Sequence, residues 1–401
     1  MGLNQTPSGE RVHIGFFGLM NAGKSSLVNA LIGQELSLVS PVPGTTADPV
    51  RKAMELLPMG PVVLIDTAGI DDIGFLGEMR ADRAKKALDE TDIAVLVTEA
   101  GRDLLLAEQA LVDLFRERKL PYLIVKNKTD LAKTGSSEAP GTISVSALTG
   151  EGIESLKEAL GAFTRESNEK KHKLITDLLN PGDLTVLVIP IDESAPKGRL
   201  ILPQQQVMRE LLDAHLPFIT CQPEELPQIL QLCKVQPRLI ITDSQKFGTV
   251  KDLVPTSILL TSFSILFARY KGSLSMLAKG AAELKNLRNG DPVLISEGCT
   301  HHRQCNDIGS VKLPGWIERF SQAKPFFTYS SGHGFPDNLK DFRMIVHCGG
   351  CMLNEAEMQS RLNNAAKAGV PIVNYGIAIA YMNGILERSL EPFPDILAEI
   401  Q

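Results

Sequence analysis

The stretch "HIGFFGLMNAGKSSLVNALIG", residues 13–33, decides the N-terminal fold. It reads as an apolar strand over Ile14–Phe17, a tight turn and an amphipathic helix. The turn carries the pattern Gly18-x4-Gly23-Lys24-Ser25. Its glycines let successive backbone N–H groups curl around phosphate oxygens at a helix N-terminus. Lys24 can reach the β and γ phosphates, and the Ser25 hydroxyl suits Mg²⁺. Asn21, Ala22 and Ser26 belong to the same nucleotide-contacting loop. A chance glycine-rich turn would look similar in isolation. The partner motifs that follow, in order, argue against it.

"VVLIDTAG" (62–69) is a second buried strand ending in Asp66-x-x-Gly69. A carboxylate there can hold Mg²⁺ through water, and the Gly69 N–H can meet a γ-phosphate. "LIVKNKTDL" (123–131) is a third, ending in Asn127-Lys128-Thr129-Asp130. Asp130 can accept hydrogen bonds from guanine N1–H and N2–H₂, a pairing adenine does not offer, so the expected nucleotide is GTP. "TISVSALTGEG" (142–152) supplies Ser146 and Ala147 to cover the base. Between the first two motifs, "SPVPGTTADPV" (40–50) offers the Thr pair that a γ-phosphate-sensing switch needs. Thr46 completes the Mg²⁺ shell, with Thr45 as its positioning neighbour. The expected N-terminal domain, 1–170, is therefore a P-loop GTPase whose catalytic residues are Lys24, Thr46, Asp66 and Gly69.

"PGTTAD" and "DTAGI" resemble the TrmE–Era–EngA group of GTPases. The resemblance implies that Ile70 stands where Ras-like enzymes carry a water-orienting Gln. Asn21 matches the asparagine that helps hold an activating K⁺ in some members; the bland alternative is that it only tightens the loop.

Composition bounds the rest. The chain has 401 residues, 43% hydrophobic and 22% charged, and a formal net charge of −6. That length suits two or three domains with real cores. No region is basic overall, which argues against nucleic acid as a partner. The N-terminus lacks a basic-then-apolar signal pattern, and "TSILLTSFSILFARY" (256–270) is too short and too interrupted to span a membrane. A cytoplasmic protein is expected. In a reducing compartment its six cysteines are metal ligands or core fillers rather than disulfides.

The polar run "TRESNEKKHK" (164–173) reads as a linker. Beyond it, alternating strand-like and helical stretches predict a small α/β unit over 175–265, with parallel strands and no phosphate loop. A dimerisation or docking role is expected for it by elimination, with Cys221 and Cys233 filling its core. A third α/β unit, 270–401, contains "DPVLISEGCTHHRQC" (291–305) and "DFRMIVHCGGCMLNEAEM" (341–358). Each is a strand running into a loop, the first bearing Cys299, His301, His302 and Cys305, the second His347, Cys348 and Cys351. Loops at strand C-termini gather at one edge of a parallel sheet, so these residues should converge. Zinc takes such a ligand set tetrahedrally, and an iron–sulfur cluster takes the thiolates. The residues alone favour structural zinc; spacing does not decide, and plain core cysteines are a third option.

A GTPase followed by Cys299-x-His301 and then His347-Cys348-x-x-Cys351 resembles the HydF family, maturation GTPases of FeFe-hydrogenase. "GRLILPQQQ" (198–206) and "FSILFARYKG" (263–272) look like that family too, so the likeness covers the whole chain. The resemblance implies a 4Fe-4S cluster bound through Cys299, Cys348 and Cys351. His301 or His347 would supply the fourth ligand or a nearby hydrogen bond, and His302 and Cys305 would be neighbours. It further implies a di-iron precursor as cargo, apo-hydrogenase and two radical-SAM maturases as partners, and a homodimer. The competing expectation is a ribosome- or RNA-associated GTPase with a structural zinc in its C-terminal domain.

Overall fold

The computed structural model describes residues 6–33, 49–67, 69, 85–132, 141–170, 173–191, 200–299 and 307–400, with side chains over 141–163 of the stretch 141–170. The chain is α/β and forms two compact units, one built on residues 1–171 and 354–357 and one on 172–353 and 358–401.

The first unit is a six-stranded sheet of β1 (Val12–Phe17), β2 (Val50–Leu56), β3 (Gly60–Asp66), β4 (Ile93–Glu99), β5 (Tyr122–Asn127) and β6 (Thr142–Ser144). The spatial order is β2-β3-β1-β4-β5-β6. Only β2 runs antiparallel. The near-continuous apolar runs follow from burial on both faces. On one face Ile14, Phe16, Val62, Leu64, Val95 and Val97 pack with Leu27, Leu31, Leu156 and Leu160 of the helices Lys24–Ile32 and Ile153–Lys170. On the other, Phe17, Val63, Ile65, Ala94 and Leu96 pack with Leu111 and Phe115 of the helix Leu106–Glu117. Successive strand residues thus feed opposite cores, as a period of two requires.

The second unit holds two four-stranded, all-parallel sheets. The first comprises β7 (Thr185–Val188), β8 (Phe218–Cys221), β9 (Leu239–Thr242) and β10 (Leu259–Ser262), in the order β10-β9-β7-β8. The second comprises β11 (Pro292–Glu297), β12 (Phe326–Ser331), β13 (Met344–His347) and β14 (Ile372–Asn374), in the order β12-β11-β13-β14. The two orders describe the same topology: the first strand is flanked by the second on one side and the third on the other. Their buried side chains form one continuous core. No described helix is long and apolar enough to cross a membrane. "TSILLTSFSILFARY" instead divides into β10 and the helix Phe263–Lys271, with the Ser262 hydroxyl accepting from the Ile265 N–H to start the helix.

Cys221 is buried at the end of β8, as a core filler should be. Cys233 is not: it follows the helix Leu226–Leu232 and stays half-exposed. The edge strand β12 escapes sequence reading because its "FFTYSS" pattern buries no residue fully.

Candidate functional site

The nucleotide loop lies at the C-terminal end of β1, where the strand order reverses between β3 and β4. Such switch points open a crevice in α/β sheets. Gly18, Asn21 and Gly23 take positive φ values of 143°, 63° and 91°. At Gly23 a side chain is excluded twice over, because a Cβ there would sit 2.2 Å from Asn127 Nδ2. Lys24 is buried and its Nζ donates to the carbonyls of Gly18 (3.1 Å) and Leu19 (2.8 Å), so the ammonium points into the loop. Ser26 is exposed beside it.

Ser25 Oγ donates to Asp66 Oδ2 at 2.5 Å. Burial raises the Asp66 carboxyl above its ordinary value, against the Ser25 hydrogen bond and the Lys24 charge. Asp66 Oδ1 is buried without a hydrogen-bond partner. A hydroxyl beside a carboxylate with an orphaned oxygen is a hard-oxygen donor set that fits Mg²⁺. Gly69 follows, packed against the backbone of Met20. Thr45, Thr46 and Ile70 lie outside the described residues.

Asn127 ties the loop to the base side of the site. Its Nδ2 donates to the Ala22 carbonyl at 3.0 Å, and its Oδ1 accepts from the Ala147 N–H at 3.0 Å. Asp130 Oδ1 accepts from Ser146 Oγ at 2.5 Å, which orients the carboxylate. Lys128 takes φ 65° and pairs with Glu99. The structure therefore gathers Gly18–Ser26, Asp66, Asn127, Asp130, Ser146 and Ala147 around one sheet edge.

In the second unit, β11 and β13 are neighbours at the corresponding switch point, and the cysteines follow them. Ser296 pairs in register with His347, and the Cys348 N–H donates to the Ser296 carbonyl at 2.8 Å. Cys348 Sγ accepts two backbone N–H bonds, from Gly298 at 3.0 Å and Gly350 at 3.4 Å. Gly298 precedes Cys299, so one sulfur joins the two loops. Burial pushes the Cys348 thiol up to about 11, opposed in part by the Gly298 and Gly350 N–H groups and the Arg361 guanidinium. Burial raises the Cys351 thiol as well, with Lys271 opposing. Enclosed thiols with N–H donors aimed at sulfur suit a thiolate–metal bond, whose formation removes the proton that burial retains. Cys299, Cys348 and Cys351 remain partly exposed as residues, so the crevice opens to solvent.

His347 is fully buried with both ring nitrogens engaged. Nε2 lies 2.9 Å from Arg361 Nη1, and Nδ1 lies 2.7 Å from the Cys348 carbonyl. Arginine only donates, so Nε2 accepts and Nδ1 carries the proton. His347 here clamps the Cys348 backbone and offers no open nitrogen. His301, His302 and Cys305 lie outside the described residues. Sequence reasoning missed the buried Arg361, which also stacks over Phe335 and donates to the Gly332 carbonyl at 2.5 Å. It missed Tyr375 as well, whose hydroxyl donates to Glu297 Oε1 at 3.4 Å. An arginine inside a helix, Glu355–Ala368, looks like a surface residue unless the neighbouring turn is known.

The Asn127 contacts generate a prediction. Asn127→Ala removes two buried bonds and strands the Ala22 carbonyl and the Ala147 N–H. At about 1 kcal/mol per net bond plus the penalty of stranded groups, the loss should be roughly 2–4 kcal/mol. Amide exchange of β1 and β5 in nucleotide-free protein should accelerate accordingly; unchanged exchange would contradict the linkage.

Comparison with known proteins bears on both sites. Residues 275–392 match the family model of the hydrogen maturase F tetramerization domain, and residues 174–272 that of its dimerization domain. Residues 13–128 match a model described as a 50S ribosome-binding GTPase. The tRNA modification GTPase MnmE of Nitrosomonas europaea is 35% identical over 156 residues, covering 38% of this chain and 34% of that protein. GTPase Der of Wolinella succinogenes is 35% identical over 175 residues, covering 39% and 36%. The chain thus spans about a third of the length of these relatives. A solved structure of Era from Aquifex aeolicus, 18% identical, covers 55% of this chain and 97% of that one with a TM-score of 0.34, too slight a likeness to carry weight. The two hydrogen maturase models together match more than half of the chain, beyond a matched GTPase domain, and the chain belongs to the hydrogen maturase F family.

Proposed function

We propose that this chain hydrolyses GTP and serves FeFe-hydrogenase maturation as a carrier. It would hold a 4Fe-4S cluster on Cys299, Cys348 and Cys351, and a di-iron precursor that it passes to apo-hydrogenase. The observation that carries this reading is the Cys348 sulfur, cradled by two backbone N–H groups at a sheet switch point inside a hydrogen maturase domain match. Two radical-SAM maturases, a second copy of the chain and a cytoplasmic setting complete the proposal.

At the nucleotide site, Lys24 exchanges the carbonyls of Gly18 and Leu19 for phosphate oxygens. The Ser25 and Thr46 hydroxyls and the Asp66 carboxylate would hold Mg²⁺, which would supply positive charge against the phosphate oxygens. Gly69 presents its N–H to the γ-phosphate. Asn21 contributes to a K⁺ site at the loop. With Ile70 in place of a water-orienting glutamine, intrinsic turnover is slow. Asp130 selects guanine, with Asn127, Lys128, Ser146 and Ala147 shaping the base pocket.

At the cysteine site, the cluster would supply a soft, redox-active anchor for the cargo. The N–H groups of Gly298 and Gly350 donate to the Cys348 sulfur and favour its thiolate. His347 and Arg361 hold the backbone that presents it.

The likeness to a tRNA modification GTPase favours an RNA-associated role for the N-terminal unit taken alone. That likeness covers 38% of the chain, and the remainder matches hydrogen maturase models. The carrier reading is therefore preferred.

Two outcomes test it. Asp130→Asn places a donor where guanine needs an acceptor, so GTP affinity should fall, with partial rescue by xanthosine triphosphate, whose C2 oxygen accepts that donor. Unchanged GTP binding by calorimetry would remove Asp130 from the base site. Cys348→Ser replaces a soft sulfur with a harder, less acidic oxygen, and a site of three thiolates has no spare anchor. Anaerobic reconstitution should then yield a small fraction of wild-type iron and fail to mature apo-hydrogenase, while GTP hydrolysis persists. Full iron and an unaltered paramagnetic resonance spectrum would sink the ligand assignment.

A further inference from the structure

Lys271 is almost wholly enclosed, at the last position of the helix Phe263–Lys271. Its Nζ donates to the carbonyls of Cys351 (3.2 Å) and Leu353 (2.8 Å) and lies 5.8 Å from the centroid of the Phe267 ring. The reverse stitch comes from Gln359, whose Nε2 donates to the carbonyls of Lys271 (3.3 Å) and Gly272 (3.2 Å). Two hydrogen bonds thus tie Lys271 to the turn that carries Cys351, and two more tie the corner at 271–272 to the helix Glu355–Ala368 that follows that turn. Chain order makes this more than local packing. Residues 271 and 272 are the last of the match to the dimerization domain, and the turn lies within the tetramerization domain match.

From this geometry we infer that Lys271 is a positioning residue for the cysteine turn, an ammonium supplied by the dimerization domain that fixes the Cys351 loop and offsets the negative charge gathered there. The chemistry requires such a group. With a cluster bound, three thiolates would leave the site net negative even against the positive charge of the iron–sulfur core, and protein enclosure weakens the screening that water would provide. Arg361 supplies a second buried cation on the His347 side of the same turn. An ammonium bonded to carbonyls at the turn does two jobs at once. It satisfies the carbonyls of Cys351 and Leu353, and its charge lies within hydrogen-bond distance of the turn. A neutral side chain of similar volume, such as methionine, would do neither.

This inference rests on the carrier reading, and the experiment separates the two. Full-length Lys271→Met, Lys271→Arg and Gln359→Leu are compared with wild type, first metal-free by amide exchange over 350–354, then after anaerobic reconstitution by iron content and midpoint potential. In Lys271→Met the turn amides should exchange at least tenfold faster. The remaining cluster should be at least tenfold harder to reduce at a fixed potential, a midpoint about 59 mV more negative for a one-electron couple. Lys271→Arg, which keeps the cation, should restore most of the potential. Exchange within twofold of wild type together with an unmoved potential in Lys271→Met would overturn the assignment. Should Lys271→Met lose the fluorescence signature of the single tryptophan, Trp316, and fail to fold, Gln359→Leu decides. That variant should speed exchange and leave the potential unmoved, and either opposite result overturns the inference. Wild-type protein that takes up no iron contradicts the carrier reading, while the metal-free exchange comparison still judges Lys271.

Discussion

Two hydrogen bonds at the mouth of the C-terminal sheet set the geometry of the cysteine site. The Cys348 N–H donates to the Ser296 carbonyl, and the Gly298 N–H donates to the Cys348 sulfur. The first is the last rung of the parallel pairing between β11 and β13. The second begins the loop that leads to Cys299. Parallel pairing aligns the C-terminal ends of both strands at one edge, so cysteines 49 residues apart in sequence emerge side by side. The strand order then opens a crevice there.

The two sheets of the second unit make the point by contrast. They share one topology, yet among the described residues only one of the two edges carries a cluster of cysteines. At the ends of β9 and β10, Ser244 and Ser264 are covered by the helix Tyr375–Met382, and Gly376 approaches so closely that a Cβ would meet Ser264 Cβ at 2.2 Å. In the other sheet the corresponding edge is lined by Cys299, Cys348 and Cys351 and stays partly exposed. Fold supplies the edge, and side chains decide whether it is filled or used. Both candidate sites also follow one electrostatic logic. Burial raises the Asp66 carboxyl in the first unit and the Cys348 thiol in the second, and each has a cationic side chain opposing the shift. Anionic ligands held in partly dry surroundings favour arrival of a metal centre, which takes over the role of the proton.

Much of this was legible in the sequence for a physical reason. Strands buried on both faces must be continuous apolar runs, and phosphate loops must carry glycines at fixed offsets, so β1, β3 and β5 with their terminal motifs stand out. Edge strands face neither constraint. β2, "VRKAMEL", and β12, "FFTYSS", pair on one side only and tolerate charge or exposed aromatics, and both pass unnoticed. Cys233 reads as core yet lies half-exposed, because a position after a short helix need not face inward. His347 reads as a metal ligand by its place beside Cys348. Only the fold reveals Arg361 opposite its Nε2, from a helix whose sequence is polar enough to look like surface. Lys271 is hidden likewise, since its partners are backbone carbonyls 80 and 82 residues away.

On the proposed function, the sulfurs around Cys348 hold a polynuclear iron centre rather than a single ion. X-ray absorption at the metal edge of anaerobically reconstituted protein tests it most directly. Iron with a sulfur shell and a second shell of iron neighbours, the scattering signature of a cluster, is expected. Zinc with a single sulfur shell at about 2.3 Å and no metal neighbour would contradict it, and would return the C-terminal site to a structural role.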